Sequence, residues 1–124
     1  MRTLLVAALA ISMITPAANA QPVRAVRPLD GYVCMKLAVS EAQVLDLKGT
    51  GINLLAGPAA DAPPVTTAPA TVFVRAPEVR QNGFLEVLAL NGKPAWIAAD
   101  KVRPLDSLSR CIPSMMSNGR LGIG

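Results

Sequence analysis

Residues 84–98 read Phe-Leu-Glu-Val-Leu-Ala-Leu-Asn-Gly-Lys-Pro-Ala-Trp-Ile-Ala, and this stretch decides the fold. Side chains alternate along an extended chain. Phe84, Glu86, Leu88 and Leu90 therefore share one face, and Leu85, Val87 and Ala89 the other. Both faces are largely apolar, as in a strand buried on two sides or curling at a barrel edge. Asn91-Gly92 follows, the strongest short hairpin signal, because both residues tolerate positive φ. Ala95-Trp96-Ile97-Ala98 is the returning strand, and Asp100-Lys101-Val102 reads as one helical turn before Arg103-Pro104.

Working back from there, Thr71-Val72-Phe73-Val74 is a β-branched and aromatic strand. Residues 75–82 form a polar loop. Val65-Thr66-Thr67 is a short edge strand, and the Pro-rich loop at 59–64 before it could not lie in a central strand. Ile52-Asn53-Leu54-Leu55 is a brief strand turned by Ala56-Gly57-Pro58. Residues 32–39, apolar apart from Lys36, form a strand entering the domain. Ser40 with Gln43 makes a capping box, which starts a helical turn running to about Leu47. Short strands punctuated by turns predict a small all-β barrel or sandwich.

Two segments together resemble the bacterial SH3-like domain family. Ile52-Asn53-Leu54-Leu55-Ala56-Gly57-Pro58 has the spacing of the family's opening run. Phe84, Val87, Asn91-Gly92, Ala95-Trp96-Ile97 and Asp100-Lys101-Val102 follow its closing pattern. Leu55 stands where the family has Arg, and Ala95 where it has Gly before the Trp. The resemblance covers about residues 50–105. It implies a five-stranded SH3-like barrel, here with an added N-terminal strand and short helical turn, and it implies cell-wall or envelope targeting. Asn53, Leu55, Arg75 and Trp96 are the candidate ligand contacts. Asn53 is also expected to bond local backbone through its amide, and Trp96 can serve as core or as surface.

The segment 1–20 has one charge, Arg2, then an apolar run from Leu4 to Ile14, Pro16, and Ala18-Asn19-Ala20. That is a secretory signal, and the run is too short to span a bilayer. Residues 21–31 read as an extended linker, 32–111 as the SH3-like domain with its N-terminal extension, and 112–124 as a flexible tail. The expected location is periplasmic or secreted, with no stable membrane span after signal cleavage. In an oxidising compartment Cys34 and Cys111 are expected to pair. A bridge closing that loop destabilises the unfolded chain by roughly 4.5 kcal/mol.

With no His and two Cys among 124 residues, imidazole-activated nucleophiles and most zinc sites are excluded. No enzyme activity, cofactor or metal is expected, and Glu86 and Asp100 are not spaced to act as an acid–base pair. Twelve basic residues against eight acidic ones are scattered along the chain. Only four aromatics accompany them, so nucleic acid is not an expected partner. The leading expectation is an exported, non-catalytic binding module for peptidoglycan or another envelope polymer. The alternative is a protein–protein accessory or inhibitor that meets an envelope protein through a sheet edge or the 59–64 loop. A thiol redox protein is a distant third.

Overall fold

A computed structural model of the chain describes residues 22–106 and 110–124. The segment 1–20, read above as a secretory signal, lies outside the described residues. Among those residues the protein is all-β and antiparallel, with strands β1 (Ala25–Pro28), β2 (Tyr32–Leu37), β3 (Asn53–Leu55), β4 (Pro64–Thr67), β5 (Thr71–Arg75) and β6 (Arg80–Gln81). There follow β7 (Phe84–Leu88), β8 (Pro94–Ala98), β9 (Val102–Pro104), β10 (Pro113–Met116) and β11 (Leu121–Ile123). One helical turn, α1 (Glu41–Val44), follows β2, and a 3-10 turn (Ala99–Lys101) follows β8.

The larger sheet runs β4-β3-β8-β7-β5-β2-β9, with β6 on β7. One of its faces carries Leu37, Leu54, Val72, Val74, Leu85, Val87, Ile97 and Val102, which pack as a single apolar cluster. Leu54, near one end of the strand order, and Val102, at the other, share that cluster, so the sheet curls around it. Leu54 and Val87 have no exposed surface. Burial of this kind stabilises by about 25 cal/mol per Å² of apolar surface removed from water.

The expected five-stranded barrel is corrected in two respects. The strand order ends at β4 and β9 without closing, and eleven short strands form two sheets among the described residues. The second sheet, β1-β10-β11, is built from the segments read as linker and flexible tail. Each of these segments is polar or Pro-rich and has no strand signal alone. They become strands by pairing with one another, Ala25 with Met116 and Pro28 with Ser114.

Asn-Gly pairs make three of the turns. Asn91-Gly92 joins β7 to β8, but only Gly92 is left-handed (φ 86°). The Gly92 N–H donates to the Ala89 carbonyl at 2.8 Å, and the Lys93 N–H to Asn91 Oδ1 at 3.0 Å. This is a type I turn followed by a left-handed Gly, in place of the two-residue turn expected. Asn118-Gly119 repeats it between β10 and β11: the Gly119 N–H donates to the Met116 carbonyl, and the Arg120 N–H to Asn118 Oδ1, each at 3.0 Å. At Asn82-Gly83 both residues have positive φ, 51° and 80°. That two-residue hairpin pairs Gln81 with Phe84 and puts β6 inside the segment read as a loop.

The capping box is present as expected, with the Gln43 N–H donating to Ser40 Oγ and the Ser40 N–H to Gln43 Oε1. The helix it starts ends at Val44, short of Leu47. Cys34 on β2 and Cys111 ahead of β10 form a disulfide with Cα atoms 6.1 Å apart, joining the two sheets covalently.

Candidate functional site

Antiparallel pairing puts directly opposed side chains on the same face of a sheet. Leu55 on β3 opposes Trp96 on β8, which opposes Glu86 on β7. Val74 opposes Val87 one step along, so Arg75 comes beside Glu86, and Tyr32 opposes Arg75 on β2. Leu55, Trp96, Glu86, Arg75 and Tyr32 thus form one row across five strands, on the face turned away from the main core. Three of the four candidate contacts fall in this row. Asn53, two residues from Leu55, lies on the same face in the next row, in line with Ala98 and Phe84.

Trp96 is half-buried and stands outside the apolar cluster, which places it on the outer face. The guanidinium of Arg75 lies 3.7 Å from Glu86, Nη1 to Oε1, with the Arg side chain 48% exposed and the Glu 21%. At that distance the pair is loose and leaves most of the Arg donors open. Glu86 is thus engaged by a cation, and Asp100 lies in the 3-10 turn.

Beside Trp96 the same face sinks into an open depression of about 330 Å³, large enough for one sugar-sized unit. Asn53, Leu55, Phe84 and Ala98 of that face line it, together with Gly51, Ile52, Ala60, Ile97 and Lys101. Lys101 is the one ionisable side chain in this lining. It is held by its backbone, since its carbonyl accepts the Ala38 N–H at 2.8 Å. The ion pairs among the described residues are Lys36–Asp106, Arg75–Glu86 and Arg80–Glu78, so the Lys101 ammonium has no carboxylate within bonding range there. The loop carrying Ala60 is fixed by its own backbone bonds, Ala56 N–H to the Pro63 carbonyl at 2.8 Å and Ala62 N–H to the Ala59 carbonyl at 3.1 Å. Asn82 ties it down further, its Nδ2 donating to the Pro58 carbonyl at 3.2 Å.

The bracing bond expected of Asn53 is made by a different residue. Thr50, buried at 6% exposure, donates from Oγ1 to the Ala68 carbonyl at 2.9 Å and accepts from the Ile52 N–H at 3.4 Å. Asn53 itself is exposed and lines the depression. Sequence reasoning passed over Lys101 and Phe84 as contacts. Phe84 sits two residues before Glu86 on an alternating strand, which was the one signal that it shares the face of Trp96. A second depression, about 410 Å³, runs along the disulfide between the sheets and is lined by Leu29, Asp30, Tyr32, Val33 and Ile112 among others. It contains none of the four candidate contacts.

Among the described residues there is no helix long and apolar enough to cross a membrane, and no group of three or more His, Cys, Asp or Glu that could hold a metal ion. No family model, curated protein or solved structure matches the chain.

Proposed function

We propose that this protein is an exported, non-catalytic binding module that holds an envelope polymer, peptidoglycan first among them, against the outer face of its larger sheet. The observation that carries the reading is the joining of Asn53, Leu55 and Trp96 into one surface that contains an apolar depression. A half-buried aromatic ring can take the apolar side of a sugar, and the nearby Asn53 amide can fix its orientation. The disulfide supports export, because such bonds persist in oxidising compartments. An elaborated SH3-like architecture is the reading of the larger sheet. In its favour, β3 and the β7–β8 hairpin, which carry the two family-like segments, are neighbours in the strand order, and a 3-10 turn follows β8.

The protein–protein reading rests on a different observation. Val44, Leu45 and Leu47, around α1, are 38%, 71% and 103% exposed, and clustered exposed apolar residues mark contact surfaces. A free sheet edge is the less favoured contact for that role. Pro28, Pro64 and Pro104 lie in β1, β4 and β9, three of the four strands that end the two sheet orders, and Pro blunts an edge against strand addition.

Sedimentation with purified peptidoglycan sacculi tests the leading reading. Saturable retention of the oxidised protein, reduced by Trp96→Ala and unaffected by Leu47→Ser, is expected. Retention no greater than that of an unrelated exported protein of similar charge overturns it. Loss of retention in Leu47→Ser alone transfers the role to the apolar turn.

A further inference from the structure

Resting on the binding-module reading, we infer that the depression selects a carboxylate-bearing saccharide, with the Lys101 ammonium taking the carboxylate. The sign of the charge follows from the lining. Lys101 supplies its single ionisable group, and the remaining side chains are apolar apart from the Asn53 amide. The three ion pairs among the described residues do not include Lys101, so it need not surrender a partner to take up an anion. A charge-assisted hydrogen bond to an ammonium is about twice as strong as a neutral one.

The geometry separates the roles. Asn53 offers both a donor and an acceptor, the match for an acylamino group. Phe84 and Ala98 offer apolar contact for the acyl methyl or ring carbons. Lys101 adds the one charge of the lining. Glu86, two residues from Phe84 on the same face of β7, is engaged by Arg75 at 3.7 Å, and no carboxylate is among the residues that line the depression. A ligand bearing an acetamido group and a carboxylate on one sugar satisfies all of these features. A neutral amino sugar leaves the ammonium without a partner.

The test uses the full oxidised protein and a matched pair of probes: N-acetylmuramic acid, with its lactyl carboxylate free as on glycan that carries no stem peptide, and N-acetylglucosamine, which lacks the lactyl group. Binding is followed by amide chemical shifts of Asn53, Phe84, Ala98 and Lys101. A third arm, an oligogalacturonate, separates an amino-sugar acid from a plant- or capsule-type uronic acid as the source of the carboxylate. Tighter binding of the muramic acid is expected, weakened roughly tenfold by Lys101→Met and by added salt. The glucosamine affinity and a Lys48→Met control stay unchanged. Equal affinity for the two amino sugars, or no loss in Lys101→Met with folding confirmed by its amide spectrum, overturns the inference. Retention on sacculi without shifts in the depression for any probe also overturns it and leaves the binding-module reading standing. Absence of both retention and shifts removes that reading as well.

Discussion

The two sheets are held by different forces. The larger one encloses Leu54, Val72, Val74, Leu85, Val87 and Ile97, each no more than 2% exposed, in one cluster that draws on most of its strands. The terminal sheet buries Leu121 and Pro113 but leaves Val26 58% and Ile123 47% exposed. Its attachment is a short set of specific ties. The disulfide is one, and the Leu121 N–H to the Leu90 carbonyl at 3.1 Å is another. Phe73, 2% exposed, faces the terminal sheet across a seam lined by Leu90, Leu121 and Ile123. Where apolar area is scarce, covalent and backbone bonds carry the attachment. The candidate residues Leu55, Trp96 and Arg75 lie outside the apolar cluster of the larger sheet.

Breaking the larger sheet has the largest effect. Leu54→Ala removes a side chain with no exposed surface and is expected to cost about 2–5 kcal/mol, read as one cooperative shift of the denaturant midpoint. Amide exchange should rise in all strands of the larger sheet together.

Replacing both cysteines with Ala has a similar or smaller cost, roughly 2–5 kcal/mol, but a different distribution. Amide exchange should rise first in β1, β10 and β11 and leave β7 and β8 protected. Equal loss of protection in both sheets would show that they are one cooperative unit and erase the contrast drawn above.

The matched turns sharpen the comparison at smaller scale. Gly92 and Gly119 have φ of 86° and 83°, and a Cβ at either would meet nothing within 4 Å, so Ala at each costs about 1–2 kcal/mol from backbone strain alone. Gly92→Ala should lower the global midpoint, whereas Gly119→Ala should register as faster exchange confined to β10–β11.

Legibility from sequence follows the same division. The β7–β8 hairpin, β2, β5, the edge position of β4 and the Ser40 capping box could be read locally, because each carries its periodicity or its cap within a few residues. The pairing of β1 with β10 could not, because it joins residues about ninety positions apart and neither segment has an apolar alternation. Asn118-Gly119 was the available clue to β11, being the same dipeptide that marked Asn91-Gly92. Asn82-Gly83 likewise marked β6.

In the candidate site, Leu55, Trp96 and Arg75 were nominated singly, and only strand register shows that they share a row. Glu86 beside Arg75 and Lys101 beside Asn53 depend on pairings of β5 with β7 and of β3 with β8. No spacing along the chain encodes these. Asn53 was assigned a bracing bond that Thr50 makes, since a polar residue near a turn does not reveal from sequence which neighbour will be buried.

Trp96 is the single tryptophan of the chain, so its emission reports on the proposed ligand face alone. Titrating the oxidised protein with soluble peptidoglycan glycan strands freed of stem peptide should give a saturable change in indole intensity and wavelength, which Lys101→Met weakens while leaving the unliganded spectrum unaltered. An indole spectrum that stays constant through a titration in which the fragments demonstrably bind would place the ligand elsewhere on the protein and contradict the account.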